Sequence, residues 1–323
     1  MVTTTLTATL PFRHITFNIR YANQRPVHGE SLWSVRGPRL CNQLRALVAG
    51  HPAAFISLQE ALAHQVKDVQ DGLNAFPDAG SGRDSSTASP DSSSTSQTTT
   101  HQWTPIGLGR DDGKQAGEFS PVFYNAAVWT CERSKTYWLS PTPEKPGSRG
   151  WDAVLPRIVT MGQFQHKELP GTRVVVLSTH FDHVGVRARE ESARLILRLT
   201  DEWQRTARGG KRGRPPVFLG GDFNSRTSDK AYKTITSPGE MGMTDIATLI
   251  PAEKRYGNEL TYSSFGQRGG IPKRIDFLFV RDPTDIKFLT YGVEANRFDD
   301  GVFLSDHRAT VADMEIPVKG QRP

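Results

Sequence analysis

The chain has 323 residues, 36% hydrophobic and 23% charged, with a net charge of +6 at neutral pH. That length and balance suit a globular chain of one large domain or two modest ones with a sizeable core, while no window approaches the ~18 apolar residues of a membrane span. The mild basic excess fits an anionic partner such as a phosphate ester or nucleic acid, or simply a solubilising surface, and no block of like charges marks a nucleic-acid tail.

In chain order, "FRHITFNI" (12–19) predicts a first strand ending near Asn18. A polar loop leads to "WSVRGPRLCNQLRALVAGHP", where Leu40, Leu44, Leu47 and Val48 form a helical stripe that Gly50 and Pro52 stop. "AAFISLQE" predicts a buried strand ending at Glu60, and "ALAHQVKDVQDGL" a second helix. This alternation predicts sheets covered by helices. Residues 81–100, "SGRDSSTASPDSSSTSQTTT", cannot bury a core and are expected to be a disordered insertion. It need not divide the domain, because a long surface loop adds little closure entropy.

Beyond it, "SPVFYNAAVWTCERSKTYWL", "RIVTMGQFQH" and "RVVVLSTHFDH" predict strands, followed by a long amphipathic helix over about 187–205. "PPVFLGGDFN", "RIDFLFVR" and "ATVADMEI" predict the later strands. No 20–50-residue repeat is visible. With no linker up to residue 316, the expectation is one domain spanning 1–323 with its core at about 12–316.

Cys41 and Cys131 form no CxxC pair and no zinc spacing, and are read as free buried thiols in a reducing compartment. "MVTTTLTATLPFRH" lacks the basic and long apolar segments of a secretory leader, so a cytoplasmic or nuclear location is expected. Nothing in the pattern specifies an oligomer, and a monomer is the default.

One pattern recurs: an apolar strand runs out into an acid, an amide or a histidine. It occurs at Asn18, Glu60, His180, the pair Asp222 and Asn224, and the pair Asp306 and His307. Ligands in α/β folds bind at strand ends and the loops beyond them. One such residue alone is usually a cap or turn former; five segments of this kind point to an assembled site. Glu60 and Asp306 are oxygen donors suited to a hard cation, and Asn18 and Asn224 add amide oxygens. The absence of a thiolate site and of HExxH disfavours zinc. A Mg²⁺-type ion, histidines for phosphoryl oxygens and an acid such as Asp222 for a water together indicate metal-assisted phosphoester hydrolysis. There is no GxSxG elbow and no GxxxxGK[ST] loop. "GLGRDDG" (107–113) reads as an ordinary turn.

The ordered series "FNIR", "LQE", "STHFDH", "GGDFN", "RIDFLFV" and "SDH" resembles the endonuclease/exonuclease/phosphatase superfamily over about residues 12–316. The resemblance implies an α/β four-layer sandwich, with two packed mixed β-sheets flanked by helices and one site at an edge. It implies Glu60, Asn18 and Asp306 on the metal side, with Mg²⁺ or Mn²⁺ as cofactor. Asp222 would position or activate the water, Asn224 would bind the phosphate, and His307, oriented by Asp276, and His180 would face it. More loosely, Glu118 would orient His180, and Arg157 and His183 would contact the phosphate. Glu118 also reads as an exposed edge acid, Arg157 as a structural ion pair and His183 as a loop histidine.

The longer loop after Asn18 departs from the apurinic endonucleases; the aromatic, basic stretch 135–157 reads as a pocket wall and resembles a little-characterised branch of the superfamily, with Trp138 and Trp151 either stacking platforms or packing aromatics. The expected substrate is a small phosphate mono- or diester of sugar-phosphate or nucleotide type. The alternative is a nuclease acting on RNA or DNA, which would need an extended basic track. Here the basic residues are dispersed, with Lys211, Arg212 and Arg214 the one loop cluster noted. A binding module that retained only the fold is disfavoured because every motif residue is present.

Overall fold

The computed structural model describes residues 8–75, 102–206 and 214–318. The Ser/Thr-rich insertion, Lys211 and Arg212 lie outside the described residues. The first half contributes β1 (Thr9–Asn18), α1 (Trp33–Val48), β2 (Phe55–Gln59), α2 (Ala63–Asn74), β3 (Trp103–Ile106), β4 (Val122–Asn125) and β5 (Trp129–Trp138). Then come β6 (Ile158–His166), β7 (Arg173–His180), α3 (Val186–Thr206), β8 (Val217–Asp222) and α4 (Lys230–Ile235). The chain finishes with β9 (Thr244–Asp245), α5 (Ile246–Leu249), β10 (Arg255–Gly257), β11 (Asp276–Arg281), β12 (Lys287–Val293) and β13 (Thr310–Pro317).

The strands form two mixed sheets, ordered β10-β12-β13-β1-β2-β4-β3 and β5-β6-β7-β8-β11-β9. Helices α1 and α2 bury Leu40, Leu44, Val69 and Leu73 against Ile15, Phe17, Ile56 and Leu58 of the first sheet. Helix α3 buries Ile196, Leu199 and Trp203 against Val175, Leu177, Val217 and Leu219 of the second. Between the sheets lie Phe12, Phe55, Trp129, Phe164 and Phe218. The period-2 alternation of each strand produces these four layers. In β8, Val217 and Leu219 face the helices while Phe218 faces the other sheet. Among the described residues no helix is long and apolar enough to cross a membrane.

Towards the site the aromatic filling gives way to a narrow polar seam. Ser57 Oγ donates to Leu177 O (3.1 Å), Ser178 Oγ donates to Leu58 O (2.9 Å), and Gln59 Nε2 donates to Ser178 Oγ (3.3 Å). His14 Nε2 lies 3.0 Å from Ser57 Oγ, and complete burial pulls its pKa down to about 3, so the ring is neutral. These side chains are short, and the sheets approach closely. A Cβ on Gly220 would stand 3.0 Å from Ser57 Cβ and 3.1 Å from Thr16 Cβ. Gly220→Val is therefore expected to wedge the seam open and destabilise the fold by about 1–3 kcal/mol. A lower denaturation midpoint at unchanged slope would show it; an unchanged midpoint would contradict the close approach.

Four strands fall outside the runs read from the sequence: β3, β9, β10 and β12. β9 and β10 have two and three residues, too few for a period to register. β3 is a four-residue edge strand containing Pro105, which sequence patterning demotes. In β12 the pairing shifts between Phe288 and Thr290, which breaks the alternation. The run 120–139 is two strands, β4 and β5, joined by a turn.

Candidate active site

Register brings the polar strand ends together. His180 at the end of β7 pairs with Asp222 at the end of parallel β8, and Asp222 pairs with Asp276 at the start of antiparallel β11. The three form one row across the edge of a sheet. On the facing sheet Asn18 pairs with Gln59, and Glu60 follows in a left-handed conformation (φ 59°). Arg20 (φ 56°) and Asn224 (φ 44°) are left-handed too. Such backbone costs energy for residues other than glycine, and here it follows the ends of β1, β2 and β8.

Asp222 lies at the centre and is 1% exposed. Its Oδ2 accepts from Asn18 Nδ2 (3.0 Å) and lies 3.4 Å from His180 Nε2 and 3.6 Å from His307 Nε2. Its Oδ1 accepts from the Asn224 N–H (2.8 Å). Behind His307, Asp276 Oδ2 lies 2.9 Å from Nδ1, and Tyr262 packs edge-on against the ring. Phe223 turns away into the core against Phe181, Phe277 and Phe279, which anchors the loop that carries Asp222 and Asn224.

The charges divide clearly. Burial opposes a charge on His307, but Asp276, Asp222 and Asp306 outweigh it and hold its pKa well above the ordinary value. His307 is an imidazolium, and Asp222, Asp276 and His307 form a buried cluster whose polar atoms lie within 4.8 Å of one another. Burial and the neighbouring Asp276 push Asp222 up to about 7. His180 goes the other way: burial first, then Arg157, Arg110 and His307, pull it well below the ordinary value, so this ring is neutral.

The group facing His180 Nδ1 is not the one expected. Glu118 Oε2 stands 3.9 Å away, while Arg157 Nη1 is 3.0 Å away. Glu118 instead pairs with Arg110 Nη1 at 2.5 Å, and burial and Glu60 push its carboxyl up to about 7 against Arg110 and Arg157. Arg157, read from sequence as a phosphate contact, is 5% exposed and occupied by the two rings: its Nη2 lies 3.1 Å from His183 Nδ1. Since a guanidinium only donates, Nδ1 of neutral His180 must accept, and the ring hydrogen sits on Nε2. Asn224 Nδ2, which donates to Phe181 O (3.0 Å), also lies 3.0 Å from that Nε2. Two N–H donors thus crowd one spot, an arrangement that an anionic oxygen between them would satisfy.

On the other flank, Glu60 accepts from Asn18 Nδ2 (3.0 Å) and the Tyr21 N–H (3.3 Å), with Arg20 Nη1 at 3.8 Å. Although burial opposes its ionisation, Arg20 and the Asn18 bond keep its pKa below the ordinary value. Asp306 is pushed up, by burial first and then by Glu60, against the pull of His307. A half-buried and a buried carboxylate therefore adjoin. Asn18, expected to offer its amide oxygen, already uses Oδ1 to accept from the Arg20 N–H (3.0 Å), while its Nδ2 bridges Glu60 and Asp222. Its Nδ2 thus joins the two acids, while Oδ1 keeps a second lone pair.

The structure thus brings Asn18, Glu60, His180, Asp222, Asn224, Asp276, Asp306 and His307 into one cluster, with Glu118, Arg157 and His183 behind and beside it. Sequence reasoning missed Arg20, Arg110 and Asp182. Arg20 and Asp182 lie inside the motifs "FNIR" and "STHFDH", so their signal was adjacency alone. Arg110 sits in the turn "GLGRDDG", which is a turn as expected but carries an 8%-exposed arginine beneath the site. Trp138 donates from Nε1 to Arg110 O (2.6 Å) and is 3% exposed, so it packs rather than stacks. Both cysteines are free: Cys41 is buried in α1 and Cys131 is half-buried in β5.

Residues 15–307 match the Endonuclease/Exonuclease/phosphatase family. An endonuclease/exonuclease/phosphatase from Bacteroides vulgatus is 31% identical over 95% of this chain and 99% of its own, with a TM-score of 0.74. A mannosyl-6-phosphatase from Bacteroides thetaiotaomicron VPI-5482 is 28% identical over 94% of this chain and 99% of its own, with a TM-score of 0.72. The human nocturnin catalytic domain, 14% identical over 96% of each chain with a TM-score of 0.62, shares the fold. A search of curated proteins gave no significant match. With a family match across nearly all of the two-sheet sandwich and the polar strand ends gathered at one edge, the chain belongs to the Endonuclease/Exonuclease/phosphatase family.

Proposed function

We propose that the protein is a divalent-metal-dependent phosphatase of small phosphate esters, sugar phosphates foremost. The observation that carries this reading is the convergence on Asp222 of a neutral imidazole N–H (His180) and an imidazolium (His307), with the Asn224 amide N–H₂ 3.0 Å from the first ring. Such donors suit a phosphoryl group, and the carboxylate between them suits a water beside it.

The acidic flank fits a hard cation. Glu60, half-buried, and Asp306, buried, are neighbouring carboxylates, and neither cysteine belongs to the site. The cluster of Asp222, Asp276 and His307 is a weaker place for a metal, because the imidazolium already balances its acids. Glu60 and Asp306 would hold Mg²⁺ or Mn²⁺, which when bound supplies Lewis-acid polarisation of a phosphoryl oxygen. Asn224 and His180 Nε2–H bind phosphoryl oxygens, and Asp222 orients the attacking water and accepts its proton. His307, kept charged by Asp276, stabilises the charge that develops. The products are the free alcohol and inorganic phosphate.

Two observations support a small ester over nucleic acid. The cations around the site are inward and engaged: Arg20 with Glu30 and Glu60, Arg110 with Glu118, Arg157 with two histidines, and Arg36 with four backbone carbonyl oxygens. They do not form the solvent-facing track that a polyanion needs. In addition, a relative 28% identical over nearly full length is a mannosyl-6-phosphatase.

A panel of hexose phosphates and oligonucleotides, assayed with Mg²⁺ or Mn²⁺ and in excess EDTA at two salt concentrations, tests the reading. Phosphate release from hexose phosphates is expected, abolished by EDTA and only weakly salt-dependent. Cleavage of oligonucleotides falling steeply with salt, with hexose phosphates left intact, would favour a nuclease.

A further inference from the structure

Arg157 stands behind two histidines at once, with Nη1 3.0 Å from His180 Nδ1 and Nη2 3.1 Å from His183 Nδ1. A neutral imidazole accepts at one nitrogen and donates from the other, whereas a guanidinium can only donate. Both Nδ1 atoms are therefore acceptors, and both ring hydrogens sit on Nε2.

The fork itself is held in place. Glu118 Oε2 and Asp182 Oδ2 each lie 3.7 Å from the guanidinium. Asp182 also accepts from the N–H groups of Val154, Leu155, Val184 and Gly185, pinning the strap before Arg157 to the turn after β7. The two rings differ in access. His180 is buried beside Asp222, whereas His183 is exposed at the rim.

Resting on the phosphatase reading above, we propose that Arg157 is a positioning residue that fixes the tautomers of both histidines. His180 Nε2–H thereby meets a phosphoryl oxygen, and His183 Nε2–H meets an oxygen on the alcohol half of the ester. A phosphorylated sugar or polyol offers such an oxygen; a simple aryl phosphate does not. His183 is then a specificity contact, and Arg157 couples substrate selection to the ring at the reacting phosphate.

Long-range ¹H–¹⁵N spectra of the wild-type histidine rings at pH 8 test this without turnover, with His180→Asn and His183→Asn used to assign the signals. Both rings are expected to show a protonated Nε2 and an unprotonated Nδ1. A protonated Nδ1 in either ring would overturn the assignment. Arg157→Lys keeps the charge but loses the fork, and is expected to leave at least one ring in mixed tautomers and to lower kcat/KM by about 10–100-fold. Unchanged ring spectra in that variant would count against the positioning role.

For His183→Gln, the ratio of kcat/KM for a hexose 6-phosphate to that for phenyl phosphate is expected to fall by about 3–10-fold, the worth of one hydrogen bond. An unchanged ratio would overturn the specificity contact. Failure of the wild type to turn over either ester would overturn the phosphatase reading and that contact with it, while the spectra decide the role of Arg157 on their own.

Discussion

Asp222→Asn is expected to lower turnover of a phosphate ester by about 10²–10⁴-fold, the usual range for losing a general base or water-positioning group. The carboxylate serves several donors together: Asn18 and His180 and His307 face Oδ2, while the Asn224 N–H bonds Oδ1. An amide of the same shape accepts through one atom only. Whichever way it turns, either the Asn18 amide or the Asn224 N–H loses its acceptor, and no atom remains to take the proton of the attacking water. The fold is expected to survive, because the anchor of this segment is Phe223 in the aromatic cluster with Phe181, Phe277 and Phe279. Steady-state kinetics with a matched thermal melt checks both halves. Activity within twofold of wild type in a folded variant would remove Asp222 from the mechanism.

His307→Gln is expected to cost about 10²–10³-fold in kcat, the loss that follows removal of one donor to developing negative charge. Its partner gives a finer test. Asp276 lies 2.9 Å from His307 Nδ1 and, after burial, is the largest influence on that ring, acting to raise its pKa. In the wild type the imidazolium therefore persists through neutral pH. Asp276→Asn removes the raising charge, so the ring gives up its proton at lower pH. The alkaline limb of kcat/KM should then move to lower pH while kcat at the acid side is better preserved. The acid limb belongs to Asp222, which burial and Asp276 push up to about 7 and which a divalent cation nearby would draw down. An alkaline limb that stays in place in Asp276→Asn would show that the imidazolium is not required.

Much of this was legible in the sequence because strand ends announce themselves. Val217-Phe218-Leu219 followed by Gly220-Gly221-Asp222 changes from apolar to polar within one strand, and the same change marks Asn18, Glu60 and His180. The layers were legible through strand and helix periods, and the helix read as about 187–205 forms as Val186–Thr206. What stayed hidden was pairing across the sheets. Nothing in the spacing of Glu118, Arg157 and His180 says that the arginine, rather than the acid, faces the ring; that depends on β6 and β7 lying side by side with Arg110 drawing Glu118 away. The direction of the Asn18 amide was hidden for the same reason. Asn18 meets Asp222 only because the seam of Thr16, Ser57, Ser178 and Gly220 lets the sheets close.

The central claim is that Asp222 directs water to phosphorus. Hydrolysis of a hexose phosphate in ¹⁸O-water with Mg²⁺ tests it most directly, comparing wild type with Asp222→Asn. The account predicts one ¹⁸O in each phosphate released by the wild type, none at the sugar oxygen that carried the phosphate, and near-complete loss of labelled phosphate in the variant. Label at that sugar oxygen, or undiminished phosphate release by Asp222→Asn, would contradict it.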